Sequence, residues 1–166
     1  MKPEFICHKD FAAEHPKNMF HKEEQQLDLA EKDEKFLDRH ILFRKKLFLE
    51  SIEGAILRIS ADDYYKLYIN GKFIGQGPAP AYHHCYNYNV IDVSPFLSEG
   101  ENVIAVHTYY QGFVNRVWVS GDRRQCLWCE LFADGEKLLC SDETWKYHDH
   151  TGFTACGKIG YDTAFA

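Results

Sequence analysis

The stretch KLYINGKFIG, residues 66 to 75, constrains this chain more than any other. Asn70 and Gly71 stand between two runs that alternate apolar and polar residues. Both central residues of a two-residue type I′ turn need φ > 0, which Asn and Gly tolerate at little steric cost. Upstream, Tyr65, Leu67 and Ile69 fall on one face of an extended chain, and Tyr64, Lys66 and Tyr68 on the other. The stretch therefore predicts a strand, a tight turn and a return strand.

The remaining text repeats this rhythm. ILFRKKLFLES and GAILRIS read as strands, with Ala55, Leu57 and Ile59 on one face of the second. NVIAVHTYY is apolar on both faces around residues 103 to 106, as expected of a central strand covered on both sides. VNRVWVSG, QCLWCELFAD, EKLLCSD and TWKYHDH complete a series of short strands, with a tight turn at Asp134-Gly135. In SPFLSEGEN, Ser94 reads as an N-cap, Pro95 as the first helical residue and Gly100 as a stop, giving a one-turn helix. GQGPAPAYHHCYNYN holds Pro78 and Pro80, which deny ladder donors, and reads as a long loop.

The expected fold is all-β: an antiparallel, jelly-roll-like β-sandwich with an N-terminal arm and little helix. Residues 1–40 read as the arm: an extended start, a turn at Pro16, then a charged helical or irregular stretch. In that stretch Leu27, Leu29, Phe36 and Leu37 make only a thin apolar stripe. Residues 41–150 read as the sandwich and 151–166 as a linker. A chain of 166 residues, 45% hydrophobic, is long enough for one domain with a core.

The aromatic share of 15% suits a β fold or a surface that meets rings, sugars or another protein. Net charge is −6 with acids and bases mixed along the chain, which argues against nucleic acid. No run approaches the roughly 20 apolar residues of a membrane span. MKPEFICHKD lacks the apolar run of a signal peptide, so the expected location is cytoplasmic and the six cysteines read as free thiols. Disulfides in a secreted chain are the minor alternative. Cys126 and Cys129 lie in a predicted strand, where i and i+3 face opposite ways, so they read as packed thiols rather than a redox or zinc pair.

ADDYYKLYINGKFIGQGPAP followed by YNVIDVSPFLSEGENVIAV resembles the galactose-binding-like jelly rolls of glycoside hydrolases. With LFRKKLFLES before it and DETWKYH after it, the pattern resembles the N-terminal β-sandwich domain of bacterial α-L-rhamnosidases over roughly residues 40 to 150. That family hydrolyses terminal rhamnosyl bonds in a separate helical (α/α)-barrel domain, with carboxylates as acid and base. The resemblance implies that the sequence is an N-terminal part of such an enzyme. Its partners would be the downstream domains, which it would support, with carbohydrate as a further contact. It implies no catalytic residue, metal or cofactor in the sandwich itself.

Asp62-Asp63 is the obvious acid pair, but neighbours in a strand point apart, and a glycosidase dyad needs two separated carboxyls facing one sugar. The pair reads as a turn or strand-start feature. Tyr82, His83, His84, Tyr86, Asn87 and Tyr88 are the better contact residues. Rings stack on sugar faces, Asn and His bond hydroxyls, and rim loops carry such groups. Packing onto a neighbouring domain is the preferred reading of the same six. His83, His84 and Cys85 are adjacent and make a poor metal set. The histidines from position 83 onward form no constellation with an evident nucleophile. Trp118 and Trp128 are expected in the core, and Trp145 in core or rim. The rival functions are a free-standing carbohydrate-binding module and a protein-interaction sandwich.

Overall fold

The structure is a computed structural model that describes residues 2–14, 34–82, 84–112 and 123–153. Among the described residues nine strands form two antiparallel sheets. They are β1 (Arg39–Leu49), β2 (Ile56–Asp62), β3 (Tyr64–Ile69), β4 (Lys72–Gly77), β5 (Asn89–Asp92), β6 (Gly100–Tyr110), β7 (Cys126–Ala133), β8 (Glu136–Cys140) and β9 (Lys146–Asp149). One sheet has the order β4-β3-β6-β1-β9 and the other β5-β2-β7-β8. The expected all-β sandwich is what forms. Among the described residues helix is confined to α1 (Lys9–Ala12) and two single 3-10 turns.

The turn at the centre of the sequence reading is present. Asn70 has φ 50° and Gly71 φ 80°, with Ile69 opposite Lys72 across the hairpin. Asp134 and Gly135 repeat the device between β7 and β8, at φ 51° and 76°. Alternation then sets the core. Tyr65, Leu67 and Ile69 of β3 are fully buried, as are Leu57 and Ile59 of β2 and Leu127, Cys129 and Leu131 of β7. Each such Leu or Ile contributes about 1.5–3 kcal/mol relative to exposure. Strand β6 lies in the middle of its sheet and is buried on both faces from Val106 to Tyr110, while Val103 and Ala105 are half-buried.

The start of the chain is built into the sandwich. Ile6 exchanges two backbone hydrogen bonds with Leu127, at 2.9 and 2.8 Å. Glu4 N–H donates to Ser141 O, and Ser141 Oγ donates back to Glu4 O. These residues run beside β7 where β8, whose pairing ends at Glu130 opposite Cys140, has left it. Phe11 and Phe36 pack edge-to-face at 5.1 Å inside the core cluster. Arg39 at the start of β1 bonds Asp149 Oδ1 at the end of β9 at 2.6 Å and Asp10 Oδ2 at 3.3 Å. His8 Nε2 lies 3.3 Å from Asp149 Oδ2. Burial alone would raise the Asp149 carboxyl, but the Arg39 guanidinium, joined by His8, holds it below the ordinary range. Pro16, Leu27, Leu29, Trp118 and the VNRVWVSG strand lie outside the described residues.

Two expectations need correction. Ser94 does not cap its own helix. The 3-10 turn Ser94–Phe96 is preceded by Val93, and Asp92 Oδ1 accepts the Ser94 N–H at 3.0 Å. Ser94 Oγ instead accepts the Ala55 N–H at 2.9 Å, fixing the entry to β2 from across the fold. Gly100 opens β6 at φ 95° rather than closing a helix. Trp128 is not core either. Leu127 and Cys129 take the inward positions of β7, which leaves Trp128 half-buried on the outer face. Trp145 is core, its Nε1–H bonded to Cys140 O.

Candidate functional site

The loop between β4 and β5 is the rim of the sandwich, and its shape follows from a few side-chain ties. Asn87 Nδ2 donates to Ala79 O and Pro80 O, at 3.2 and 3.0 Å, and so clamps the loop across its base. Ser60 Oγ bonds Asn87 O at 2.7 Å, anchoring that clamp to β2. Tyr86 turns inward: its hydroxyl donates to Asp62 Oδ2 at 2.9 Å, and its ring lies 5.3 Å from Phe5. Tyr82 and His84 stack in parallel, 5.6 Å apart and 7° from coplanar, with Tyr82 half exposed. Tyr88 meets Trp128 edge-on at 6.1 Å on the outer face of the four-stranded sheet.

The six predicted contact residues are therefore not one platform. Tyr82 and His84 are brought together, Tyr86 and Asn87 hold the loop, and Tyr88 belongs to a separate aromatic pair with Trp128. His83 lies outside the described residues. Asp62 is the last residue of β2 and Asp63 forms the corner before β3, with a cis peptide bond between them. Both carboxylates are engaged, Asp62 by Tyr86 and Asp63 by the Gln111 N–H at 2.8 Å.

Beside the loop runs a groove of about 300 Å³ that sequence reasoning did not find. Tyr64, Tyr65, Gln76, Gly77, Pro78, Ala79 and Asn89 line it. The Tyr65 hydroxyl donates to Asn89 Oδ1 at 2.9 Å. Burial raises the Tyr65 phenol well above its ordinary range, so it remains a neutral donor. Gly77 makes this approach possible, since a Cβ there would lie 2.4 Å from Asn89 Oδ1. The groove offers amide and phenol groups beside an apolar proline wall, a surface suited to a neutral hydroxylated ligand or to a loop of another domain. A signal was present in the sequence: Gly77 and Asn89 bracket the loop, but only the packing of one sheet on the other shows that they meet.

A second cluster lies on the outer face of the five-stranded sheet. His40 Nδ1 and His107 Nε2 are 2.9 Å apart and both rings are buried. Burial, with His150 and Lys66 nearby, depresses both imidazoles to about 4. Sequence gave no hint of this pair, which is joined only by the register of β1 on β6.

A family model for the α-L-rhamnosidase N-terminal domain matches residues 50–162. This chain belongs to that family. Its similarity to an α-L-rhamnosidase of Streptomyces avermitilis is 31% identity over 110 residues, 65% of this chain and 10% of that protein. Among solved structures it is similar to the GH78-family rhamnosidase of Bacillus sp. GL1, with TM-score 0.63 and 32% identity, over 68% of this chain and 12% of that one. The α-L-rhamnosidase of Aspergillus terreus superposes with TM-score 0.54 and 30% identity, over 67% of this chain and 15% of that one. The α-L-rhamnosidase N-terminal domain thus spans only a small part of the relatives it matches. The resemblance carried by LFRKKLFLES, ADDYYKLYINGKFIGQGPAP, YNVIDVSPFLSEGENVIAV and DETWKYH together is confirmed.

Proposed function

We propose that this chain supplies the non-catalytic N-terminal sandwich of an α-L-rhamnosidase-like glycoside hydrolase and supports downstream domains of the same enzyme. The observation that carries this reading is the family match together with the 10–15% of each relative's length that it covers. The engagement of Asp62 and Asp63 in structural hydrogen bonds supports it, because neither carboxylate is left as a positioned acid or base. The rim loop and its groove are the proposed contact region. Tyr82, His84 and Tyr88 supply ring surface, while Tyr86 and Asn87 hold the loop in shape. Residues 151–166 are proposed to lead toward the next domain, and the location is proposed as cytoplasmic.

The test is an assay of the chain with an aryl α-L-rhamnoside, beside a calorimetric titration with L-rhamnose. The expected result is no turnover and binding no tighter than millimolar, because a shallow groove returns only about 0.5–1.5 kcal/mol for each hydroxyl bond. Turnover abolished by Asp62→Asn or Asp63→Asn would overturn the reading. Micromolar rhamnose binding lost in Tyr82→Ala would establish a binding module instead, a role that the exposed Tyr82–His84 stack favours.

A further inference from the structure

The segment that follows β9 is tied down by chemistry that the proposed support role does not use. Its last described residue, Phe153, lies flat on His40, with ring centroids 4.1 Å apart and planes within 12°. The other face of His40 is covered by Tyr109 at 4.6 Å and 22°. Phe153 also touches His107 at 5.2 Å and His150 at 4.8 Å. The backbone tie at this point is the His150 N–H to His40 O, 2.8 Å. Beneath Phe153 the two imidazoles share the 2.9 Å bond, one ring donating and the other accepting.

We propose that residues 150–153 form a pH-sensitive latch, in which Phe153 lies over the His40–His107 pair and lifts away when that pair is protonated, while β9 stays pinned at Asp149. A first proton places a cation in a buried site. A second leaves both facing nitrogens as donors, and the bond is lost. Among the described residues, the groups whose charge acts on the pair from neighbouring elements are His150 after β9 and Lys66 of β3. Both oppose a new positive charge. From β6, Tyr109 presents a phenol whose hydroxyl is committed to Asp38 Oδ1 at 2.6 Å. Water reaches the rings most readily by moving the cover that lies outside the sheet, past the end of β9. Phe153 is that cover, because Tyr109 is held within the central strand.

The other side of β9 is held independently of that pair. Asp149 is held by Arg39, and His8 lies against both Asp149 and Asp10. These bonds do not involve the His40–His107 pair, so residue 149 stays held while residues 150–153 lift away, and it becomes the hinge.

The experiment is an NMR titration of the chain from pH 7.5 to 4, following the histidine ring carbons and two ring-to-ring NOEs, Phe153–His40 and Tyr147–His8. The expected result is reversible loss of the first NOE as the His40–His107 pair titrates, with the second NOE retained. In His107→Gln, which replaces one imidazole of the pair by a hydrogen-bonding amide that does not titrate, the Phe153–His40 NOE should survive to lower pH than in the wild type. In Phe153→Ala, which removes only the cover, the pair's midpoint should move up from about 4 toward the ordinary value of about 6.5. An unmoved midpoint in Phe153→Ala overturns the proposal. So does independent titration of both wild-type rings near about 6.5, or simultaneous loss of both NOEs.

Discussion

The side-chain amide of Asn70 donates a hydrogen bond to Oδ1 of Asn102 across 2.9 Å. This joins the turn of YING to the strand entry of GEN. Asn70 also donates to Phe96 O, and its Oδ1 accepts the Val103 N–H at 2.9 Å. Asn102 is buried, donates to Ser98 O and Gly100 O, and accepts the Ser98 N–H. One pair of amides therefore fixes a hairpin, a 3-10 turn and the first residue of the central strand at a single point.

Asn102→Ala should cost about 1–3 kcal/mol, since it strands the buried partners of the lost amide. Asn70→Gly keeps a residue tolerant of φ > 0 and should cost less than Asn70→Val, which adds backbone strain. In urea unfolding, the double variant should cost less than the sum of the single losses, because each removes the same bond. Full additivity would show that the two amides act independently.

Gly71→Val should lower stability by about 1–3 kcal/mol through backbone strain alone, since φ is 80° and a Cβ there meets nothing within 4 Å. Gly75→Ala in the return strand, equally open and without positive φ, is the control and should be close to neutral. Gly77→Ala should be costly for another reason, by driving Asn89 off Tyr65. Thermal melts of the three variants separate strain from collision.

Global stability should fall on mild acidification. His40 and His107 are depressed to about 4 in the folded chain, so between about 6.5 and 4 the unfolded chain binds more protons than the folded one. Their contribution is complete above about 6.5 and is lost as pH falls toward 4, at up to about 1.4 kcal/mol per pH unit for each ring. Asp149, held low, keeps its own contribution over that window and loses it only as pH falls further. Urea midpoints from pH 7.5 to 5 should show the slope, and His107→Gln, which leaves His40 to titrate, should reduce it.

The thiols should divide sharply by reactivity. Cys7, Cys85, Cys126, Cys129 and Cys140 are all unbridged, as expected for the CLWC pair, and Cys85 alone of these five is exposed. Burial pushes the Cys129 thiol far above its ordinary range. A maleimide at neutral pH should label Cys85 rapidly, and Cys126, Cys129 and Cys140 only on unfolding. Mass mapping of the labelled peptides checks this; fast labelling of Cys129 in the folded chain would count against the inward strand position.

What the sequence disclosed was the part of the fold set by local rules. The Asn70-Gly71 turn, the alternation of Tyr65, Leu67 and Ile69 and the Asp134-Gly135 turn each follow from residues within a few positions. What it hid was register. His40 meets His107 because β1 lies beside β6, and Asn89 meets Tyr65 because β5 of one sheet reaches β3 of the other. Ser94 illustrates the same limit: its local pattern fits a helix cap, yet a backbone amide 39 residues away takes its hydroxyl. Trp128 was misplaced because strand membership does not say which face looks inward. The loop from Tyr82 to Tyr88 was visible as a loop, but its side chains divide among clamp, stack and sheet face.

The pairing of Ile6 with Leu127 gives the first residues of the chain a role as a shield. Without them, the backbone groups of β7 beyond its contact with β8 would form an open strand edge. Such an edge recruits strands from other molecules. Removing the first eight residues should therefore yield a protein whose difficulty is self-association, with oligomers rising with concentration.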